Sequence, residues 1–196
     1  MSSETTTGLS KVEVIKIDQE RIGEAAVEYV PAETEFRILV NNEVETSLHC
    51  APHRVKSLVV GWLVGEGVID QEDDFVAIDT DLDSLDVRVT VSDEAAQRLA
   101  TRVFTVPVGK LSEPEFPRRV TTELELTPEQ VIEMSGRFRK LFLGLRSSDR
   151  MCYPAAFAQN GEIQRYGEGF HRIHAMYRAT GDLVIAGTAP HHPTTA

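Results

Sequence analysis

Read as a string of apolar and polar positions, the chain changes period at one place, and that change marks its first folding unit. Phe36, Ile38 and Val40 alternate with Arg37 and Leu39, and after Asn41-Asn42 the residues Val44, Thr46 and Leu48 alternate again. Two such runs joined by residues that tolerate positive φ predict a tight hairpin. Past Pro52 the spacing becomes helical: Val55, Leu58, Val59, Trp62 and Leu63 share one face of a helix over 55–64, which Gly65 is placed to stop. Upstream, 11–17 and 25–30 read as two strands from their β-branched residues. Downstream, 70–74 reads as an acidic turn and 75–79 as a strand. Residues 85–91 read as a strand with Leu85, Val87, Val89 and Val91 on one face. That one-sided pattern predicts an antiparallel sheet covered on a single side.

In the second half the signals are caps and turns. Ser92 caps a short helix carrying Ala96, Leu99, Ala100 and Val103. The stretch 106–127 holds Pro107, Pro114 and Pro117 and no periodicity, so it reads as a loop. Thr127-Pro128-Glu129-Gln130 has the N-cap, N1 proline and N3 glutamine of a capping box, opening a helix through Val131, Met134, Phe138, Leu141 and Phe142. Asn160-Gly161 joins two short strands, 154–158 and 162–166. Residues 171–180 read as a helix ended by Gly181, and 183–186 as a buried strand. The chain therefore divides into a disordered tail (1–10), an N-terminal α+β lobe (11–105), a linker (106–126), a second lobe (127–190) and a mobile tail (191–196).

Composition narrows the function classes. A chain of 196 residues with 41% hydrophobic content can build one core or two small lobes. No apolar run reaches the roughly 18 residues of a membrane span, and MSSETTTGLS has neither the basic start nor the apolar block of a secretory leader, so a cytoplasmic protein is expected. The net charge of −11 argues against general nucleic-acid binding. Residues 134–180 run the other way, with eight basic residues against three acids. They suit either an anionic ligand such as a nucleotide phosphate or a solvated face that balances the acidic front half. Cys50 and Cys152 are the only thiols, too far apart in sequence for a CxxC or zinc-ribbon pattern. His49, Cys50 and His53 stand close together, as do His171 and His174, and both sets read as ordinary corner and surface residues in preference to metal ligands. There is no phosphate loop and no nucleophile elbow.

Two stretches carry a resemblance. The hairpin, the polar corner and the run V-x-G-W-L-V-G-E-G-V-I resemble the N-terminal region of the formate dehydrogenase accessory protein family (FdhD-type), with Gly61, Trp62, Leu63, Glu66, Gly67, Val68 and Ile69 at motif positions. The run from Cys152 to Gly187 is similar to a second family motif through Ala155, Ala156, Gly161, Glu162, Glu168, Arg172, Ala175 and Gly181. The resemblance implies an α+β protein: an N-terminal antiparallel sheet with a packed helix, then a partial deaminase-like α/β lobe. Members are sulfurtransferases that serve a molybdenum or tungsten pterin cofactor.

Three departures bear on that chemistry. Where the family's Cys-x-x-Cys pair accepts sulfur as a persulfide, this chain reads VPVGKLSEPEFP, and sulfur relay needs a thiolate. The motif's Arg-His-Asn becomes Arg172-Ile173-His174 and its Asp-Lys becomes Tyr177-Arg178. The family's C-terminal segment, implicated in holding a guanine-dinucleotide cofactor, has no counterpart before Ala196. The zinc-deaminase signature is also absent. The resemblance thus implies a truncated, divergent factor for maturation of a molybdenum or tungsten oxidoreductase such as formate dehydrogenase, binding or scaffolding without its own sulfur relay. The alternatives are an active sulfurtransferase that takes sulfur from a cysteine desulfurase on Cys152 or Cys50, and a nucleotide-binding module. Cys152 is the candidate catalytic residue. Glu168, Arg172 and Arg178 are the candidate ligand-binding residues for molybdopterin guanine dinucleotide or a guanine nucleotide, Glu168 and Arg172 being either a clamp or a helix ion pair. A cut-off lobe leaves a strand edge at 183–186, which predicts a homo-oligomer or another subunit covering it.

Overall fold

The computed structural model describes residues 9–17, 22–100, 125–145, 153–159 and 161–187. Among them the chain forms β1 (Leu9–Ile17), β2 (Ile22–Pro31), β3 (Thr34–Val40), β4 (Val44–Cys50), α1 (Val55–Gly65), β5 (Phe75–Asp81), β6 (Asp86–Val91), α2 (Asp93–Ala100), α3 (Pro128–Leu145), β7 (Tyr153–Gln159), β8 (Glu162–Gly169) and α4 (Arg172–Ile185), with a 3-10 turn at Glu72–Asp74. No helix among the described residues is long and apolar enough to cross a membrane. β1 starts at Leu9, inside the stretch expected to be a tail. The expected linker falls almost wholly outside the described residues, as do the C-terminal tail and Cys152.

The central sheet runs β4-β3-β6-β5. The β3–β4 hairpin turns at Asn41 and Asn42, both at positive φ, which sets Phe36 opposite Leu48 and Ile38 opposite Thr46. Its outer pairs are antiparallel, but β3 and β6 are parallel, with Ile38 opposite Val87 and Val40 opposite Val89. The alternation in 85–91 reports which face is covered and carries no direction. Phe36, Ile38, Val40, Val87, Val89 and Val91 point to the covered side and are buried with Leu58, Val59 and Leu63 of α1. The opposite side faces solvent, where Arg37 and Arg88 close over the carboxylate of Asp86 at 2.8 Å.

α1 is buried on more than the one stripe its sequence announces, because a second element covers its other side. Ser57, Val60 and Gly61 are buried along with the sheet-facing residues. The second element is α4. A Cβ at Gly61 would lie 1.8 Å from the Tyr177 carbonyl oxygen, and one at Gly181 would lie 1.8 Å from the Ser57 carbonyl oxygen. Two backbones approach this closely only where glycine removes the side chain. Gly65 has the same function against the Tyr177 ring, 2.6 Å from its would-be Cβ. Gly65 therefore does not stop α1: it is helical, and the left-handed residue that closes the turn is Gly67, at φ 67°.

A second expectation is corrected at the same crossing. Gly181 does not end a helix, and 183–186 is not a strand; α4 runs unbroken from Arg172 to Ile185, burying Leu183 and Val184. The apolar run that reads as a buried strand is the last turn of a helix buried against α1. The strand edge that argued for a covering subunit is absent, and with it that argument for an oligomer. On its other side α4 packs on β8, where Gly167 and Gly169 admit the Ala175 carbonyl and the His174 side chain. The Thr127 capping box forms as expected: Thr127 N–H donates to Gln130 Oε1 at 2.8 Å, and Gln130 N–H donates to Thr127 Oγ1 at 3.3 Å.

Candidate functional site

The chemistry-bearing residues meet at one seam, where the end of β4 and the corner before α1 face the end of β8 and α4. Burial of the α4 stripe draws Arg178 wholly inside, and its guanidinium is met by backbone carbonyls from three places. Nε donates to His53 O at 3.2 Å, Nη1 to Glu168 O at 2.9 Å and Nη2 to Ala51 O at 3.0 Å. Burial lowers its pKa to about 10, which still leaves the cation charged at neutral pH. Arg178 thus ties both sides of the seam together, as a fixed fork of donors can.

Cys50 lies beside it with no exposed surface. Burial pushes its thiol up to about 12; the Arg178 charge pulls the other way and loses, and Glu33 adds to the rise. His174 is buried and stacks edge-on against His171 with ring centroids 5.0 Å apart. Neither of its ring nitrogens has a hydrogen-bond partner among the described residues. Burial, Arg178 and His171 together lower its pKa to about 4, so it is neutral at pH 7.

The rim of the seam is polar and reaches solvent. His53 Nε2 lies 3.8 Å from Glu168 Oε1, and His171 Nε2 lies 3.5 Å from Glu33 Oε1. Arg54 holds a left-handed conformation at φ 48°, donates to Tyr166 O at 2.9 Å, and shares the Asp182 carboxylate with the Ser57 hydroxyl. Arg172 lies over the Tyr153 ring at 5.1 Å. The rim offers the His171–Glu33 pair and Arg172 to a polar partner, while the His53 ring nitrogens are buried and Arg54 is engaged by Tyr166 and Asp182; the interior offers a protonated thiol and a neutral imidazole, both out of reach of solvent.

Of the residues singled out in the sequence, Glu168 and Arg172 stand at this rim and Arg178 beneath it, while Cys152 lies outside the described residues. Glu168 lies within β8, one residue before its end at Gly169, and Arg172 opens α4, so the two share no helix face and a helical i,i+4 ion pair is ruled out. His49, Cys50 and His53 do not converge. Adjacent residues of a strand point to opposite faces, and His49 faces out beside Glu35 at 3.6 Å while Cys50 is buried. The sequence reading missed Glu33, Arg54, Ser57 and Asp182. The Arg54–Asp182 pair joins residues 128 apart, for which local spacing carries no signal. A shallow surface depression lined by Glu35, Arg37, Glu45 and Ser84 lies on the solvent side of the central sheet, away from the seam, and its arginine, Arg37, is already paired with Asp86 and Glu45.

The FdhD/NarQ family model matches residues 31–193. The chain belongs to the FdhD/NarQ family. A relative named sulfur carrier protein FdhD, from Methanothermobacter thermautotrophicus, is 29% identical over 83 residues, a match covering 42% of this chain and 33% of that protein's length. The crystal structure of a protein described as a formate dehydrogenase accessory protein from Desulfotalea psychrophila superposes with a TM-score of 0.63 at 16% identity, covering 93% of this chain and 71% of that one. At that identity the likeness concerns the fold: this FdhD/NarQ-family chain has the same α+β arrangement.

Proposed function

We propose that this chain is an accessory factor for maturation of a molybdenum or tungsten pterin oxidoreductase such as formate dehydrogenase, working in the cytoplasm by binding without relaying sulfur through its own thiols. The observation that carries the reading is Cys50. A carrier thiol has to reach a sulfur donor as a thiolate, and Cys50 is fully buried with its thiol pushed up to about 12. The segment in which the family resemblance puts a Cys-x-x-Cys pair holds no cysteine. The seam is a poor cradle for a guanine nucleotide or a molybdopterin dinucleotide, since Arg178 spends its guanidinium on three carbonyls and leaves Arg172 as the candidate arginine facing outward. The binding surface is therefore assigned to a protein client.

The test treats the full chain with a cysteine desulfurase and cysteine, then maps persulfides by alkylation and mass spectrometry. Neither Cys50 nor Cys152 is expected to be labelled; a persulfide on Cys152 overturns the reading in favour of an active sulfurtransferase. Affinity purification is expected to retain a molybdenum or tungsten oxidoreductase. Calorimetry with GDP and GMP is expected to show no binding, and micromolar binding lost in Arg172→Ala would replace the client reading with a nucleotide-binding one.

A further inference from the structure

α3 carries apolar residues on two sides. Met134, Phe138, Leu141 and Phe142 share one face and are half-buried, and the helix lies against β7 and β8. Ile132, Gly136, Arg139 and Leu143 fall on a different side, within about 60° of one another at 3.6 residues per turn. Ile132 is 72% exposed and Leu143 54%. Gly136 lies between them, and a Cβ there would meet nothing within 4 Å. Glycine weakens a helix interior relative to alanine. At Gly61 and Gly181 this chain uses it where the backbone of a second helix comes close; at Gly136 no second helix is present among the described residues.

The charges of α3 sort by sign along its length. Glu129 and Glu133 stand in the first half, and Glu133 is paired with Arg137 at 2.7 Å. Arg137 also donates to Gly161 O. Arg139 and Lys140 follow, both exposed and neither in a hydrogen bond or ion pair among the described residues. They stand before the last turn, so the helix dipole gives no reason for them, in a chain whose net charge is −11.

The shape and charge of this ridge select what can cover it. A ridge one side chain wide suits a helix crossing. A helix that lies in a membrane interface needs a broad apolar face, and the broad face of α3 is the one holding Met134, Phe138, Leu141 and Phe142. A second copy of the ridge would bring Arg139 and Lys140 against like charges. We propose that the outer ridge of α3, formed by Ile132, Gly136 and Leu143 with Arg139 and Lys140 beside it, docks an amphipathic helix of the partner enzyme whose apolar stripe is flanked by aspartate or glutamate. Gly136 lets the two backbones approach, Ile132 and Leu143 pack on either side of the crossing, and the cations pair with the partner's acids. The ridge deepens the maturation reading, on which it rests for the identity of the partner enzyme.

The test measures binding of the full chain to purified formate dehydrogenase apoprotein by biolayer interferometry. The unaltered chain is expected to bind, with an affinity that falls as salt rises. Arg139→Glu and Lys140→Glu are each expected to weaken binding about tenfold, and Gly136→Phe, which puts a ring into space open in the free chain, at least as much. Lys11→Glu makes the same charge change on β1 and is expected to leave the affinity unchanged. With p-benzoylphenylalanine at position 143, the crosslinked peptide is expected to come from a helix bearing Asp or Glu, and a crosslink to a basic segment overturns the proposal. No binding by the unaltered chain overturns the maturation reading and the ridge with it. Binding indifferent to the three α3 variants, or weakened as much by Lys11→Glu, overturns the ridge alone. Binding to phosphatidylcholine–phosphatidylserine vesicles that Arg139→Glu abolishes assigns the ridge to a membrane surface, and an oligomer that Gly136→Phe dissociates assigns it to a second copy; either result overturns the proposal.

Discussion

The crossing of α1 and α4 can be tested with a single methyl group. In Gly181→Ala the new Cβ would meet the Ser57 carbonyl oxygen at 1.8 Å and the Gly61 nitrogen at 2.9 Å, where ordinary contact begins at 3.4 Å. Both neighbours are helix backbone and cannot rotate away. The helices must therefore part by about 1.6 Å at the crossing, and a gap of that size forfeits half or more of the dispersion contact of the atoms lining it. Overpacking of this kind costs about 1–3 kcal/mol, and a clash against backbone belongs at the upper end. Alanine returns about 1 kcal/mol through its better helix propensity. The net loss is about 2 kcal/mol, or a fall of about 4–8 °C in Tm for a chain of this size. Gly136 in α3 supplies the control, because a Cβ there meets nothing within 4 Å. Gly136→Ala is expected to stabilise by about 0.5–1 kcal/mol. Thermal and urea unfolding followed by far-UV circular dichroism would separate the two. If Gly181→Ala proves as stable as the unaltered chain, or moves in the same direction as Gly136→Ala, the close backbone approach is refuted.

Other perturbations act on the seam and on one helix cap. Arg178→Met removes the donors of three backbone carbonyls in a closed interior and is expected to cost about 3–5 kcal/mol in urea unfolding, with a loss under 1 kcal/mol refuting its role as a tie. Thr127→Ala removes one half of the capping box and is expected to raise amide exchange in the first turn of α3 by about fivefold, matching about 1 kcal/mol; unchanged exchange would refute the cap. His174 has a folded pKa of about 4 against an ordinary 6.5, so the folded state binds its proton less readily than the unfolded one. Its contribution is present above pH 6.5 and is lost as pH falls toward 4, which amounts to about 2 kcal/mol between pH 7 and pH 5. His174→Asn is expected to flatten that part of the profile, and an unchanged slope would refute the assignment.

How much of this was legible in the sequence depends on the distance over which each feature acts. The Asn41-Asn42 turn, the Thr127 capping box and the stripe of Leu58, Val59 and Leu63 are each written within a few residues, and each formed as read. Gly65 and Gly181 were misread for one reason: a glycine near the end of an apolar periodic run has the signature of a stop, and only the partner helix shows it to be a point of backbone contact. Leu183 and Val184 followed Gly181 into the same error. The parallel pairing of β3 with β6 leaves no mark in the alternation of either strand. At the seam, Glu168 and Arg172 carried a signal through the family motif. The bonds that define the place run from Arg178 to the carbonyls of Ala51, His53 and Glu168, and a carbonyl has no residue identity to read.

The seam also bears on whether Cys50 can carry sulfur. A cation beside a thiol usually favours the thiolate, so Cys50 next to Arg178 resembles an activated cysteine until magnitudes are compared. Burial outweighs the cation and leaves the thiol near 12, at which about one molecule in 10⁵ carries a thiolate at pH 7. Arg178 is also the tie that closes the corner over Cys50. Opening the corner that follows Cys50 strains the Arg178 bonds to Ala51 and His53, and that moves the thiol away from the charge that would have activated it. Access and activation therefore exclude each other at this cysteine. The geometry at Cys50 thus speaks against its serving as a sulfur carrier.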